Sequence, residues 1–135
     1  MATTATDMRI GNLMTIDPVV IGSEQPVSEA ERLLKTYRVS GLPVVEDGAT
    51  VGVISQVDIL VARSSELISG NWSRLRVRHI MSTPPVTVHI EADILGAARL
   101  MLDRHIHRLV VVDSQDRPIG VITPLDILRI LLDDA

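Results

Sequence analysis

Two short stretches hold the residue types that could do chemistry. The first is His107-Arg108-Leu109-Val110-Val111-Val112-Asp113, followed after a turn by Ile119-Gly120-Val121-Ile122-Thr123-Pro124-Leu125-Asp126. Arg108 offers a planar, permanently charged fork that suits phosphate oxygens, and His107 adds a donor that strengthens on protonation. The same pair also reads as solvated charge at a strand start. Thr123 and Asp126 have the spacing of a reciprocal helix cap, with Thr123 as N-cap and Pro124 as the first helical residue. A helix start of this kind also presents free N–H groups and positive potential, which suit an anion. The second stretch, Gly52-Val53-Ile54-Ser55 with Asp58, repeats the hydroxyl and the carboxylate. It lacks the cations, because Ser40-Gly41 stand where His107-Arg108 do.

The elements around these stretches recur as well. Met14 aligns with Met81, an offset of 81 − 14 = 67. At that offset Val19, Ala30, Leu33 and Val39 match Val86, Ala97, Leu100 and Ile106. Leu42, Val44 and Val45 match Leu109, Val111 and Val112. One inserted turn residue makes the offset 68, and Gly52-Val53-Ile54 then matches Gly120-Val121-Ile122, as Asp58-Ile59-Leu60 matches Asp126-Ile127-Leu128. Chance agreement in apolar type is cheap; agreement in this order is not, and the chain reads as an internal repeat.

Residues 1–7 read as a frayed tail and 8–14 as a short helical lead-in. Pro18 favours extended geometry before it, and the β-branched run to Ile21 reads as a strand. A helix starts at Pro26, with Val27, Ala30, Leu33, Leu34 and Tyr37 on one apolar face, and Gly41 breaks it. Residues 42–45 and 51–54 form a hairpin around Glu46-Asp47-Gly48. A second helix runs from Ser55 to about Leu67, ended by Ser69-Gly70-Asn71. Residues 72–78 read as an exposed linker carrying Arg74, Arg76 and Arg78. The expected domains are repeat 1 over 8–68, a linker over 69–78 and repeat 2 over 79–135. Each repeat is a β-α-β-β-α unit of mixed α/β (α+β) class, too small to bury its own apolar surface. Two copies packed sheet to sheet with pseudo-twofold symmetry would share a core. The last helix is apolar on most sides and so wants a second partner, such as another copy of the chain.

Composition narrows the functional classes. Nearly half the residues are hydrophobic, with no Phe, one Trp and one Tyr, so Val, Ile and Leu supply the core. With 13 basic and 17 acidic residues the chain is mildly acidic, which disfavours nucleic acid as a partner. The absence of Cys excludes disulfides, thiolate metal sites and Cys nucleophiles. No apolar run is long enough for a membrane span and no signal peptide is visible, so a cytoplasmic location is expected. His79, His89, His105 and His107 lack the carboxylate company of a metal site, and no P-loop or G-x-S-x-G motif occurs. No metal and no enzymatic activity are expected.

The paired motifs resemble those of tandem cystathionine-β-synthase (CBS) domain pairs, also called Bateman modules. The resemblance rests on Met14-Thr15 with Pro18-Val19, on Ser40-Gly41-Leu42-Pro43-Val44-Val45, and on Gly52-Val53-Ile54-Ser55 with Asp58. In the second half it rests on Met81-Ser82 with Pro85-Val86, on residues 107–113, and on Gly120-Val121-Ile122-Thr123 with Asp126. It implies a non-catalytic regulatory module that needs no cofactor. The ligand would be an adenosine derivative (AMP, ADP or ATP foremost, S-adenosylmethionine also) held between repeats, its occupancy relayed to a partner protein whose identity is unknown. Asp126 and Asp58 would hold ribose, Thr123 and Ser55 would lie near phosphate, and His107 and Arg108 would face the phosphates. Adenine would sit near Val20, Pro43, Pro85, Thr87 and Ile122. The charge difference between the repeats makes the Thr123–Asp126 junction the principal site. A homodimer through the helices is implied too. The alternative is a structural dimerisation module with vestigial clefts, in which both hydroxyl–carboxylate pairs are caps only.

Overall fold

The computed structural model describes residues 10, 15–16, 18–65 and 72–133, the side chains of Thr15, Ile16, Ile130 and Asp133 excepted. The expected tail, most of the lead-in helix, Met14, Leu67 and Ser69-Gly70-Asn71 lie outside the described residues. The chain divides into two compact units, Val19–Pro85 on one hand and Met1–Pro18 with Val86–Ala135 on the other. These units are not cut where the sequence repeats are: the start of repeat 1 belongs with repeat 2, and the start of repeat 2 with repeat 1.

In the unit of residues 19–85, strand β2 (Ile21–Gly22) leads into helix α1 (Val27–Tyr37), strands β3 (Gly41–Glu46) and β4 (Ala49–Ser55), and helix α2 (Gln56–Arg63). Strand β2 pairs parallel with β3, and β3 pairs antiparallel with β4. Buried Ile21, Val27, Ala30, Leu34, Leu42, Val44, Ile54, Ile59 and Val77 form the core. Pro26 is the N-cap of α1, where its missing N–H is not needed. Tyr37 leaves the expected apolar face and is 55% exposed. The helix ends before Gly41, because Arg38 turns left-handed (φ 53°) and its N–H closes on Leu34 O. Asp47 and Gly48, both at positive φ, make the hairpin turn.

The expected linker at 72–78 is instead folded onto α1. Trp72–Arg74 form a 3₁₀ turn and Val77–Ile80 a short helix, α3. Val77 is fully buried, and backbone bonds run from Val27 N to Leu75 O and from Val77 N to Gln25 O. Trp72 Nε1 donates to Glu31, and the Arg63 guanidinium lies 4.0 Å over the Trp72 ring. The physical reason is apolar content: Trp72, Leu75 and Val77 bury area that an exposed linker would leave wet.

In the other unit, β1 (Thr15–Ile16) joins β5 (Thr87–His89), α4 (Ile94–Arg104), β6 (Leu109–Val112), β7 (Pro118–Ile122) and α5 (Pro124–Asp133). The sheet order is β1-β7-β6-β5. Its core is Ile10, Ile94, Ala97, Met101, Leu109, Val111, Ile122 and Ile127. His105 ends α4 in the same left-handed conformation (φ 53°) as its repeat partner Arg38.

The glycine in the first Gly-Val-Ile has a packing cause. Val53 forms an antiparallel bridge with Ser82, which brings Met81 and Ser82 over Gly52. A Cβ at Gly52 would meet Met81 Sδ at 2.8 Å and the Ser82 carbonyl oxygen at 2.9 Å. Gly120 pairs with Ile16 in the corresponding way. Gly52→Ala is expected to lower stability by about 1–3 kcal/mol, because a backbone oxygen must move to admit the methyl. A lower urea midpoint with unchanged m-value would show it.

Candidate functional site

Each hairpin delivers its last residue to a helix start, and there the side chains close reciprocally. At the first junction Ser55 N and Oγ donate to Asp58 Oδ2 at 2.8 and 3.0 Å, and Asp58 N donates to Ser55 Oγ at 3.1 Å. At the second, Thr123 N and Oγ1 donate to Asp126 Oδ2 at 2.8 and 3.0 Å, and Asp126 N lies 3.4 Å from Thr123 Oγ1. Both are capping boxes, so the capping role read from sequence is present in each repeat. A carboxylate has about four acceptor positions, and these bonds engage one oxygen only.

The partner of the second oxygen is described at the first junction only. Asp58 Oδ1 accepts a bond from Ser82 Oγ at 3.0 Å. Asp126 Oδ1 has no partner among the described side chains; Thr15, the repeat equivalent of Ser82, has its side chain outside that set.

The Leu109–Ile122 pairing puts Arg108 and Thr123 at the same end of the β6–β7 ladder. Arg108 is half-buried and finds no carboxylate among the described residues. Burial pushes its pKa down from the ordinary arginine value, but a guanidinium keeps its charge at neutral pH. The junction therefore holds a partly desolvated cation, a carboxylate oxygen and a helix N-terminus. At the first junction buried Gly41 takes the place of Arg108, and the carbonyl of exposed Ser40 before it accepts from Gln56 N.

The remaining predicted site residues separate. Thr87 is half-buried and pairs with Val110 in the same sheet. Ile122 and Pro43 are fully buried, and Ile122 is a core residue, so neither side chain has surface for a ligand. Val20 is 38% exposed next to β2, and Pro85 is half-buried at the end of its unit. His107 lines a groove of about 470 Å³ between α4 and α5, with His105, Met101, Leu102, Ile127 and Leu131. Sequence reading missed this groove and missed Ser82. The signal for Ser82 was its alignment with Thr15 as a second hydroxyl in each repeat. Among the described residues no group of His, Asp and Glu is arranged to hold a metal ion, and no helix is long and apolar enough to cross a membrane.

If the two boxes act as caps, Ser55→Ala and Thr123→Ala should each cost about 1 kcal/mol of stability. Chemical unfolding of the two variants tests this, and the effects should add within about 0.5 kcal/mol because the junctions share no partner.

Comparison with known proteins places this geometry. The CBS domain model matches residues 10–65 and 77–133. An inosine-5'-monophosphate dehydrogenase of Streptococcus pyogenes is 35% identical over 123 residues, which cover 91% of this chain and 24% of that protein. The chain thus spans about a quarter of the length of such relatives. Among solved structures, Arabidopsis thaliana CBSX2 in complex with AMP has a TM-score of 0.82 and 32% identity, covering 93% of this chain and 97% of that one. The CBS domain pair of protein MJ0100, in complex with 5'-methylthioadenosine and S-adenosyl-L-methionine, has a TM-score of 0.80 and 25% identity, covering 95% and 98%.

Proposed function

The chain belongs to the CBS domain family, and from that premise we propose that it is a non-catalytic regulatory module that binds an adenosine-containing ligand at the Thr123–Asp126 junction. The observation that carries this reading is Arg108. A half-buried guanidinium without a carboxylate partner among the described residues is a charge matched to an anionic ligand. Asp126 Oδ1 supplies acceptor positions for the two hydroxyls of a ribose, without breaking the cap made by Oδ2. The N-terminal N–H groups of α5 and the Thr123 hydroxyl face phosphate, with Arg108 as the charged clamp. His107 is left out of this set because it lines the groove between the helices. Thr87, on the neighbouring strand, flanks the base.

AMP, ADP and ATP all fit this chemistry, and S-adenosylmethionine fits its nucleoside part. Occupancy would reach a partner protein by linkage: the ligand favours whichever state of the module binds it better, and the partner reads that shift. The module would act in the cytoplasm without a resident cofactor.

The exposed apolar face supports a homodimer. Leu102, Leu125, Leu128, Leu131 and Leu132 are each 45–74% exposed on α4 and α5, around the groove. A second copy of the chain is the proposed cover, in keeping with the prevalence of twofold assemblies. This face also favours the alternative reading, a dimerisation module without a working ligand site.

Thermal unfolding of nucleotide-free protein with AMP, ADP, ATP or S-adenosylmethionine separates the two readings. A ligand at 100 times its Kd should add about 2.7 kcal/mol and raise Tm by several degrees. Asp126→Ala should abolish the shift, while Asp58→Ala should leave it. Arg108→Gln should weaken AMP at least about tenfold and adenosine little. No shift with any nucleotide at millimolar concentration would leave the dimerisation module as the function. Separately, Leu131→Glu should convert a dimer to a monomer in sedimentation, by placing a charge in the apolar face.

A further inference from the structure

Ser82 is a polar residue whose side-chain bond the hydroxyl–carboxylate caps do not require. It lies at the repeat-1 junction and not at the end of its own repeat. Two backbone bonds fix it: Val53 N donates to Ser82 O at 3.0 Å, and Ser82 N donates to Val53 O at 2.8 Å. The next residue adds a third tie, from Thr83 Oγ1 to Val51 O at 3.0 Å. So held, Ser82 Oγ donates to Asp58 Oδ1 at 3.0 Å. Asp58 Oδ2 already accepts from Ser55 N and Oγ.

The acceptor inventory then decides. Of about four lone-pair positions on a carboxylate, three are filled at Asp58, and one is left. A vicinal diol needs two. The Ser82 bond is made by the donor type that a ribose would bring, an aliphatic hydroxyl, at the oxygen that a ribose would use.

We propose that Ser82 is an internal substitute for a ribose hydroxyl, one that closes the repeat-1 junction to nucleosides. The inference deepens the function proposed above and rests on its premise that a junction carboxylate holds ribose. It concerns Asp58, and so can be tested apart from Asp126. The junction also lacks that cation, with Gly41 in the place of Arg108, so the proper probe is uncharged adenosine.

Calorimetric titration with adenosine of four proteins tests the proposal: wild type, Asp126→Ala, Ser82→Ala/Asp126→Ala and Ser82→Thr/Asp126→Ala. Removing the hydroxyl should give the Ser82→Ala/Asp126→Ala protein one adenosine site per chain, at least about tenfold tighter than any binding to Asp126→Ala. Ser82→Thr keeps the hydroxyl and should keep the junction closed. The proposal is overturned if Ser82→Ala/Asp126→Ala binds no adenosine, or if Asp126→Ala alone already binds it as tightly. Wild type that fails to bind, beside a Ser82→Ala/Asp126→Ala protein that binds, would sink the Asp126 assignment and sustain this one. Circular dichroism of each variant confirms that loss of binding is not loss of fold.

Discussion

The interaction on which the rest depends is the reciprocal bond between hydroxyl and carboxylate where each hairpin becomes a helix. It fixes the residue at which β4 and β7 stop and α2 and α5 begin. It satisfies N–H groups that a helix start would otherwise leave open, and it holds the carboxylate in one rotamer. A carboxylate pinned through one oxygen leaves the other pointed for use. The cap and the proposed ligand contact are thus two faces of one group, which is why capping alone does not argue against binding. The same group reads as structure or as chemistry according to what reaches its second oxygen.

The two repeats have spent their shared scaffold differently. In repeat 2 the space between the helices is an apolar groove, with Ala98 and Leu131 among its lining. Their repeat partners are Glu31 and Arg63, and these form an ion pair at 2.8 Å that Trp72 joins from the connector. The exposed ion pair itself adds little stability. Its consequence is shape and polarity: charge and an indole ring occupy what is open and apolar in the other unit. One helix pair is thereby suited to bury against another apolar surface, and the other to remain partly wet, although both descend from one pattern.

Much of this was legible in the sequence because it depends on local rules. The Ser55–Asp58 and Thr123–Asp126 boxes follow from spacing. Helix α1 and both hairpins follow from periodicity and turn residues. The connector was misread because Trp72, Leu75 and Val77 are too few and too irregular to show a period, and their burial comes from α1 and not from each other. The full burial of the Ile122 and Pro43 side chains was not legible, because adjacency along the chain does not reveal which face of a strand is closed. His107 lines the groove between α4 and α5, and its sequence neighbour Arg108 is not among that lining.

Arg108 shows how the charge difference between the repeats becomes physical. Partial burial removes water from a guanidinium, an unfavourable change unless another group supplies the lost contacts. Four other arginines have such groups: Glu29 for Arg32, Glu31 for Arg63, Glu24 for Arg78 and Asp113 for Arg117. Those four cations are about half or more exposed and have the least need of a partner. Arg108 is more enclosed and has none among the described residues. An enclosed cation without a carboxylate among the described residues is one whose lost water contacts a phosphate would replace on binding. Repeat 1 has no such cation, since Gly41 stands in the place of Arg108, and its carboxylate is already answered from within by Ser82.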